Sequence, residues 1–206
     1  MVDTTKWQAP PGTPRGPAGG YGPPCDQCGV STWVELAGGP SDDSYHPNID
    51  RRALPDGVNN VDVVHDLREG IPLHDEHAER LKMMDVFNYF TQVEGDKLLA
   101  ECLRVLRPGR SFFLRVLDLP FICQRIVEDG VCSAWLGALY HTEDMAEGPN
   151  GEGWHKTGYS YETLKAKLED AGFVNVTHWG FYNRAEMKIE AWKPGPYLFP
   201  PQGPNC

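Results

Sequence analysis

The sequence predicts a single α/β domain. Its core is a Rossmann-like, mostly parallel sheet with helices on both faces and a C-terminal antiparallel edge hairpin. Three observations carry this reading. Strand-like and helix-like patterns alternate along the middle of the chain. An amphipathic helical stretch, Asp96–Leu106, runs directly into an apolar strand, Ser111–Leu117. That succession is typical of a parallel βαβ unit. Near the C-terminus, two strand patterns are joined by a loop alone, which suits an antiparallel edge.

Taken in order, Trp33–Ala37 (WVELA) is a short strand ending at Gly38-Gly39-Pro40. Val61–His65 (VDVVH) is β-branched and apolar and ends at Asp66. A further strand is expected around Arg80–Met84. In the Asp96–Leu106 helix, Leu98, Leu99, Cys102, Leu103 and Leu106 share one face. Asp96 serves as N-cap or first-turn anion, and Arg107-Pro108-Gly109 ends the helix. Ser160 caps a second helix whose apolar side is Tyr161, Leu164, Leu168 and Ala171. Gly172 is a natural residue just past its end. Phe173–Val176 and the strictly alternating Glu186–Trp192 are the closing strands.

The chain has 206 residues, 40% apolar and 23% charged, enough for one domain with a sizeable core. Its 18 Pro and 22 Gly crowd at the two ends. Residues 1–29 read as a Pro/Gly-rich arm and 194–206 as a Pro-rich tail able to dock on a protein partner. The domain proper is 30–193, with 118–158 as a lid or substrate insertion. A net charge of −10 disfavours nucleic acid, which calls for a basic stripe. No apolar run approaches the roughly 20 residues of a membrane helix, and no secretory signal opens the chain. The expected location is cytoplasmic.

Several features fall at the predicted ends of successive strands. Gly38 and Gly39 let backbone approach a ligand closely after the first strand. Asp50, in Asn48-Ile49-Asp50, can accept both hydroxyls of a ribose. Asp66 can accept an amino proton from an adenine. Ligands of open parallel sheets bind outside the carboxyl ends of the strands, so these residues predict a site for an adenosine-containing ligand.

The same pieces resemble the class I S-adenosylmethionine-dependent methyltransferases. The similarity is to the compact predicted members related to the methyltransferase type 11 group, over about residues 33–192. It is carried by VELAGGP (Val34–Pro40), NID (Asn48–Asp50), DVVHDLREGIPL (Asp62–Leu73), LLAECLRVLRPG (Leu98–Gly109) and YETLKAKLEDAGF (Tyr161–Phe173). The resemblance implies S-adenosyl-L-methionine as cofactor. It implies Glu35, Ala37, Gly38 and Gly39 as the first cofactor loop, Asp50 at the ribose, and Asp66 and Leu67 at the adenine. The stretch between Gly39 and Asp50 is too short for a full crossover helix, as in the compact members. Three departures stand out. Ala37 replaces the first loop glycine, Arg110 replaces the second glycine of the R-V-L-R-P-G turn, and DVFNYF (Asp85–Phe90) replaces an H-V-L-E-H-like pattern.

Methyl transfer needs alignment and, for a hydroxyl or amine acceptor, removal of a proton. The candidate bases are Asp85, which follows the fourth strand, and His155, in the Gly-rich stretch before the last helix. The acceptor is expected to be a small molecule or glycan, methylated on O or N. The alternative is a catalytically inactive binding or assembly module working through its tails. Cys25 and Cys28 form one CxxC, with His46 the nearest histidine. Structural zinc needs four ligands, and no second pair at the usual spacing is visible. The expectation is therefore no metal, and a disulfide or two free thiols, of which a cytosolic setting favours the thiols.

Overall fold

The structure, a computed structural model, describes residues 24–38, 47–51, 61–140, 153–181 and 185–196. Its strands are β1 (Trp33–Leu36), β2 (Asn48–Asp50), β3 (Val63–Val64), β4 (Ala78–Met84), β5 (Leu106–Leu117), β6 (Val174–Phe181) and β7 (Glu186–Trp192). Its helices are α1 (Gln92–Val105), α2 (Leu119–Asp129), α3 (Ser133–Tyr140) and α4 (Tyr161–Asp170). The strands form one seven-stranded sheet in the order β3-β2-β1-β4-β5-β7-β6. The first five in this order are parallel, and β7 is antiparallel to both β5 and β6. The chain winds outward from β1 through β2 to β3, then returns to lay β4 on the other side of β1. The strand order reverses between β1 and β4, and that is where an open parallel sheet forms its ligand crevice.

Strand alternation builds the core. Val34, Leu81, Phe112 and Ala191 pair across four strands in one row, and Leu36, Met83, Leu114 and Ile189 in the next. All eight are at most 1% exposed. Helix α1 adds Leu98, Leu99, Cys102 and Val105, and α4 adds Leu164 and Leu168, to the same cluster. Each fully buried aliphatic side chain contributes about 1.5–3 kcal/mol relative to exposure. The opposite parity carries charge: Glu35 pairs in register with Lys82, and their side chains form an ion pair at 3.1 Å.

Several elements differ from expectation for identifiable reasons. Helix α1 begins a turn before Asp96 because Thr91 caps it. The Thr91 side chain accepts from the Glu94 backbone, and Glu94 accepts from the Thr91 backbone at 2.7 Å. Asp96 instead pairs with Lys167 of α4. Strand β5 leaves α1 directly at Leu106 and runs through Pro108 and Gly109 rather than starting at Ser111. Pro108 is accommodated because the pairing with β4 shifts register between Ala78 and Arg80. Gly109 takes φ +73 there and donates to the Lys193 carbonyl at 3.1 Å. The Val61–His65 strand shortens to two residues, and the Phe173–Val176 strand lengthens to Phe181. Ser160 caps α4, Gly172 follows it at φ +102, and β7 spans Glu186–Trp192, all as expected.

Residues 24–31, assigned by sequence mostly to the arm, form a small hairpin on the domain. Pro24 bridges Ser31, and Cys25 is 2% exposed. The rest of the arm, most of the tail and residues 141–152 of the insertion lie outside the described residues. Among the described residues, no helix is long and apolar enough to cross a membrane.

Candidate functional site

At the carboxyl end of β1 the chain turns through Ala37 at φ +54, a conformation unusual for a residue with a side chain. The turn is fastened to β2 on both sides. Ala37 N–H donates to the Ile49 carbonyl at 2.7 Å, and Gly38 N–H donates to Asn48 Oδ1 at 3.1 Å. A Cβ at Gly38 would lie 2.6 Å from the Glu35 side chain, so any other residue there would require Glu35 to shift. Glu35 itself is buried against Lys82. Asp50 closes β2 and is 8% exposed, and its carbonyl accepts from His65 N–H at 2.9 Å. The sheet therefore brings Ala37, Gly38 and Asp50 together at one edge. Gly39 lies outside the described residues.

After β3, Asp66 caps a short 3₁₀ turn, Leu67–Glu69. Its carboxylate accepts from Arg68 N–H at 2.9 Å and pairs with the Arg68 guanidinium at 3.0 Å. Desolvation opposes its ionisation, but these bonds prevail and hold the carboxyl below its ordinary range. A carboxylate has about four acceptor sites, so Asp66 retains capacity for an amine. Leu67 is buried in the core beside it.

After β4, Asp85 sits at φ +59 and is gripped by Arg115 of β5. Arg115 Nε donates to one carboxylate oxygen at 2.6 Å, and its terminal nitrogen donates to the other. A Glu186 carboxylate oxygen lies 3.7 Å from the same Arg115 Nε. A carboxylate held by a two-pronged guanidinium is better placed to fix the strand end than to take a proton.

The turn Phe87–Tyr89 follows. Asn88, 1% exposed, is the residue on which this region is organised. Its amide donates to the Thr157 carbonyl at 2.9 Å and accepts from Leu117 N–H at 3.3 Å. Its backbone carbonyl accepts from Lys156 N–H at 2.8 Å. Sequence reasoning includes Asn88 only within DVFNYF (Asp85–Phe90), as a departure from the H-V-L-E-H-like pattern. The available signal is an amide flanked by Phe87, Tyr89 and Phe90, a polar group in an apolar turn that has to be satisfied internally.

These bonds shape a cavity of about 150 Å³ lined by Asn88, Leu117, Leu119, Ile122, Leu139 and His155, with Lys156–Gly158. His155 Nδ1 lies 3.2 Å from the Ala138 carbonyl and 3.3 Å from that of Leu139. Carbonyls only accept, so Nδ1 carries the proton and Nε2 is the basic nitrogen. The Tyr89 ring stands 4.8 Å from the imidazole. Of the two candidate bases, His155 lines the cavity and Asp85 is locked to Arg115.

The polar groups at the β1–β2–β3 edge suit S-adenosylmethionine. Asp50 and Asp66 accept hydrogen bonds, and the ribose hydroxyls and adenine amine donate them. A glycine turn lies between them and the cavity end of the sheet.

At the opposite, amino ends of β1 and β4, the structure corrects the expectation that Cys25 and Cys28 have no companion pair. Their thiols meet His74 and His77, and the four candidate ligand atoms lie within 4.8 Å of one another. The second pair is missed because it lies 46–49 residues away. Only the adjacency of β1 and β4 makes it a neighbour.

No family model and no curated protein matches the chain. Solved structures do match its fold. A SAM-dependent methyltransferase from Archaeoglobus fulgidus superposes with a TM-score of 0.55 at 15% identity, covering 78% of this chain and 85% of that one. One from Thermotoga maritima gives 0.54 at 16% identity over 78% and 81%. One from Mesorhizobium loti gives 0.52 at 14% identity over 78% and 90%. The chain has the class I SAM-dependent methyltransferase fold.

Proposed function

We propose that this protein transfers the methyl group of S-adenosylmethionine to an oxygen or nitrogen atom of a small molecule or glycan. The observation that carries the proposal is the arrangement at the carboxyl ends of the strands. The Ala37-Gly38 turn and Asp50 stand together at the strand-order reversal, and the cavity containing His155 lies beyond β5.

S-adenosylmethionine, when bound, supplies an electrophilic methyl group on a sulfonium leaving group. The protein's part is to bind, orient and move a proton. Asp50 holds the ribose hydroxyls through charge-assisted hydrogen bonds. Asp66 takes the polar edge of the adenine, and Leu67, packed in the core beside it, holds that turn in place. The Arg115–Asp85 pair fixes the end of β4, where the methionine end is expected. Asn88 fastens residues 156–157 to β5 and so holds neighbouring His155 against the cavity. There His155 Nε2 accepts the proton from an acceptor hydroxyl or amine, within the ordinary range of general-base catalysis. The dimensions of the cavity favour a compact acceptor group over a protein surface.

Calorimetric titration with S-adenosylmethionine and S-adenosylhomocysteine tests the proposal. Micromolar binding that Asp50→Ala weakens supports it and justifies a screen of acceptors. Absence of heat from folded protein with both ligands sinks it, and favours the alternative of an inert module. His155→Ala is expected to lower turnover of any acceptor found by about 100-fold or more while leaving cofactor binding intact.

A further inference from the structure

We infer that Cys25, Cys28, His74 and His77 form a closed tetrahedral metal site, and that its occupant is a structural zinc ion. The site does not depend on the methyltransferase reading, because it sits at the amino ends of β1 and β4, away from the cofactor edge.

The ligand set comes first. Two thiols and two imidazoles are the combination that selects zinc among the common divalent cations. Four protein ligands leave no open position, which marks a structural rather than a catalytic site.

The distances come next. For zinc with N and S ligands at their usual bond lengths, a tetrahedron has N···N edges of about 3.3 Å, N···S edges of about 3.6 Å and an S···S edge of about 3.8 Å. His77 Nδ1 lies 3.2 Å from His74 Nε2. His74 Nε2 lies 3.2 Å from the Cys25 sulfur and 3.8 Å from the Cys28 sulfur. The Cys28 sulfur lies 3.7 Å from His77 Nδ1. Four of the six edges thus match a coordination shell, and the two remaining edges, both at Cys25, are no longer than 4.8 Å.

The third argument is the state of the histidines. His74 Nδ1 is 2.7 Å from the Asp75 carbonyl, and His77 Nε2 is 2.9 Å from the Ser31 carbonyl. Each of these nitrogens must donate, since a carbonyl cannot. In the neutral rings the remaining nitrogens, His74 Nε2 and His77 Nδ1, carry lone pairs, and they face each other at contact distance. Two lone pairs so placed repel unless a proton or a metal cation lies between them, and the two sulfurs alongside complete the ligand set for a metal. A remote ring nitrogen bonded to a backbone carbonyl is also the arrangement that orients metal-ligating histidines. The short H-x-x-H spacing is met by using Nε2 of one ring and Nδ1 of the other.

The backbone is shaped for the same purpose. Cys25 N–H donates to the Val30 carbonyl, and Gly29 N–H to the Cys25 carbonyl, both at 2.7 Å. Gly29, at φ +72, closes the Cys25–Val30 turn that carries both thiols. Cys25 and His77 are 2% and 0% exposed and Cys28 and His74 are half-buried, so the site is shielded on the side of the domain.

The test is elemental analysis of the full-length protein, purified without chelator and without a polyhistidine tag. The expected content is about one zinc per chain, falling below roughly a tenth in Cys25→Ser/Cys28→Ser and in His74→Gln/His77→Gln. Wild-type protein stripped by a chelator keeps the test decisive if those variants fail to fold. Its melting temperature is expected to fall by on the order of 10 °C and to recover with zinc but not magnesium. Cobalt added to the stripped protein should give the visible absorption of a tetrahedral thiolate site. Metal-free protein as isolated, together with stripped protein that binds neither zinc nor cobalt, overturns the inference. So does a Cys25–Cys28 disulfide found in the non-reduced protein.

Discussion

The two ends of the central strands are built in opposite ways. At the amino ends of β1 and β4, Cys25, Cys28, His74 and His77 turn inward on one another, and two of the four are essentially unexposed. At the carboxyl ends of the same strands, Ala37 and Asp85 are both held at positive φ, and an open cavity lies just beyond. Strained residues gather where surrounding structure over-determines them, commonly around functional sites. At the amino end the polar groups turn on one another; at the carboxyl end several are also paired within the protein, and in the proposed function Asp50 and Asp66 face a ligand. A fold whose chemistry sits on loops at one edge needs those loops carried by strands that do not shift, and a clamp at the far edge meets that need without intruding on the cleft.

The largest expected effect separates the two ends outright. Removing metal from the amino end should lower melting by on the order of 10 °C. Below that melting point, affinity for S-adenosylmethionine should change by less than about 3-fold, because distant independent sites combine additively. Loss of cofactor affinity in step with metal loss would break the division between the ends. Asp50→Ala should show the reverse signature. Losing charge-assisted bonds at the ribose should cost about 10- to 100-fold in cofactor affinity, read by calorimetry. Melting of the unliganded variant should move by no more than about 3 °C.

The contrast also governs what could be read from sequence. Features set by neighbouring residues were legible. The apolar face of α1, the alternation of Met187, Ile189 and Ala191, and the Ser160 cap are all local patterns. The placing of Gly38 and Asp50 at carboxyl ends was legible because Gly38 lies two residues past β1 and Asp50 is the last residue of β2. The capping box of Thr91 and Glu94 was present but was masked by Asp96, which also resembles a helix start. The second half of the metal cluster was not legible. Its two pairs are joined only by strand adjacency, and no spacing rule spans that separation. The engagement of Asp85 with Arg115, and of Asn88 with Thr157 and Leu117, is hidden for the same reason.

Asn88→Ala tests whether stability and function can be separated within the carboxyl end. The substitution strands the Thr157 carbonyl and the Leu117 N–H in a buried setting, at a cost of about 1–3 kcal/mol. For a chain of this size that is a melting shift of roughly 2–10 °C. Turnover should fall further than cofactor affinity, because the released segment carries His155 and not the ribose contact. Equal losses in both would show that Asn88 supports the whole edge rather than the acceptor side.

The smallest effect concerns how the amino end is braced. The stretch leading to His74 is pinned to α1 by Glu101 and Arg104. Glu101 accepts from Ile71 N–H at 2.9 Å, and Arg104 donates to the Ile71 and Leu73 carbonyls and to Asp75. The hydrogen bond from Arg104 is the main reason the Glu101 carboxyl lies below its ordinary value of 4.5, with burial opposing and the Ile71 N–H assisting. A carboxyl lowered on folding stabilises the protein above its unfolded value, and that stabilisation is lost as pH falls through the lower, folded value. Solvent at the rim screens the pair, so Glu101→Gln should lower melting by only about 1–2 °C at pH 7. As pH drops below 4.5, wild type and variant should converge, because protonation leaves Glu101 as neutral as glutamine. A gap that persists or widens in acid would assign the brace to shape rather than charge. A variant as stable as wild type at pH 7 would show that the backbone bonds alone secure the loop that carries the two histidines.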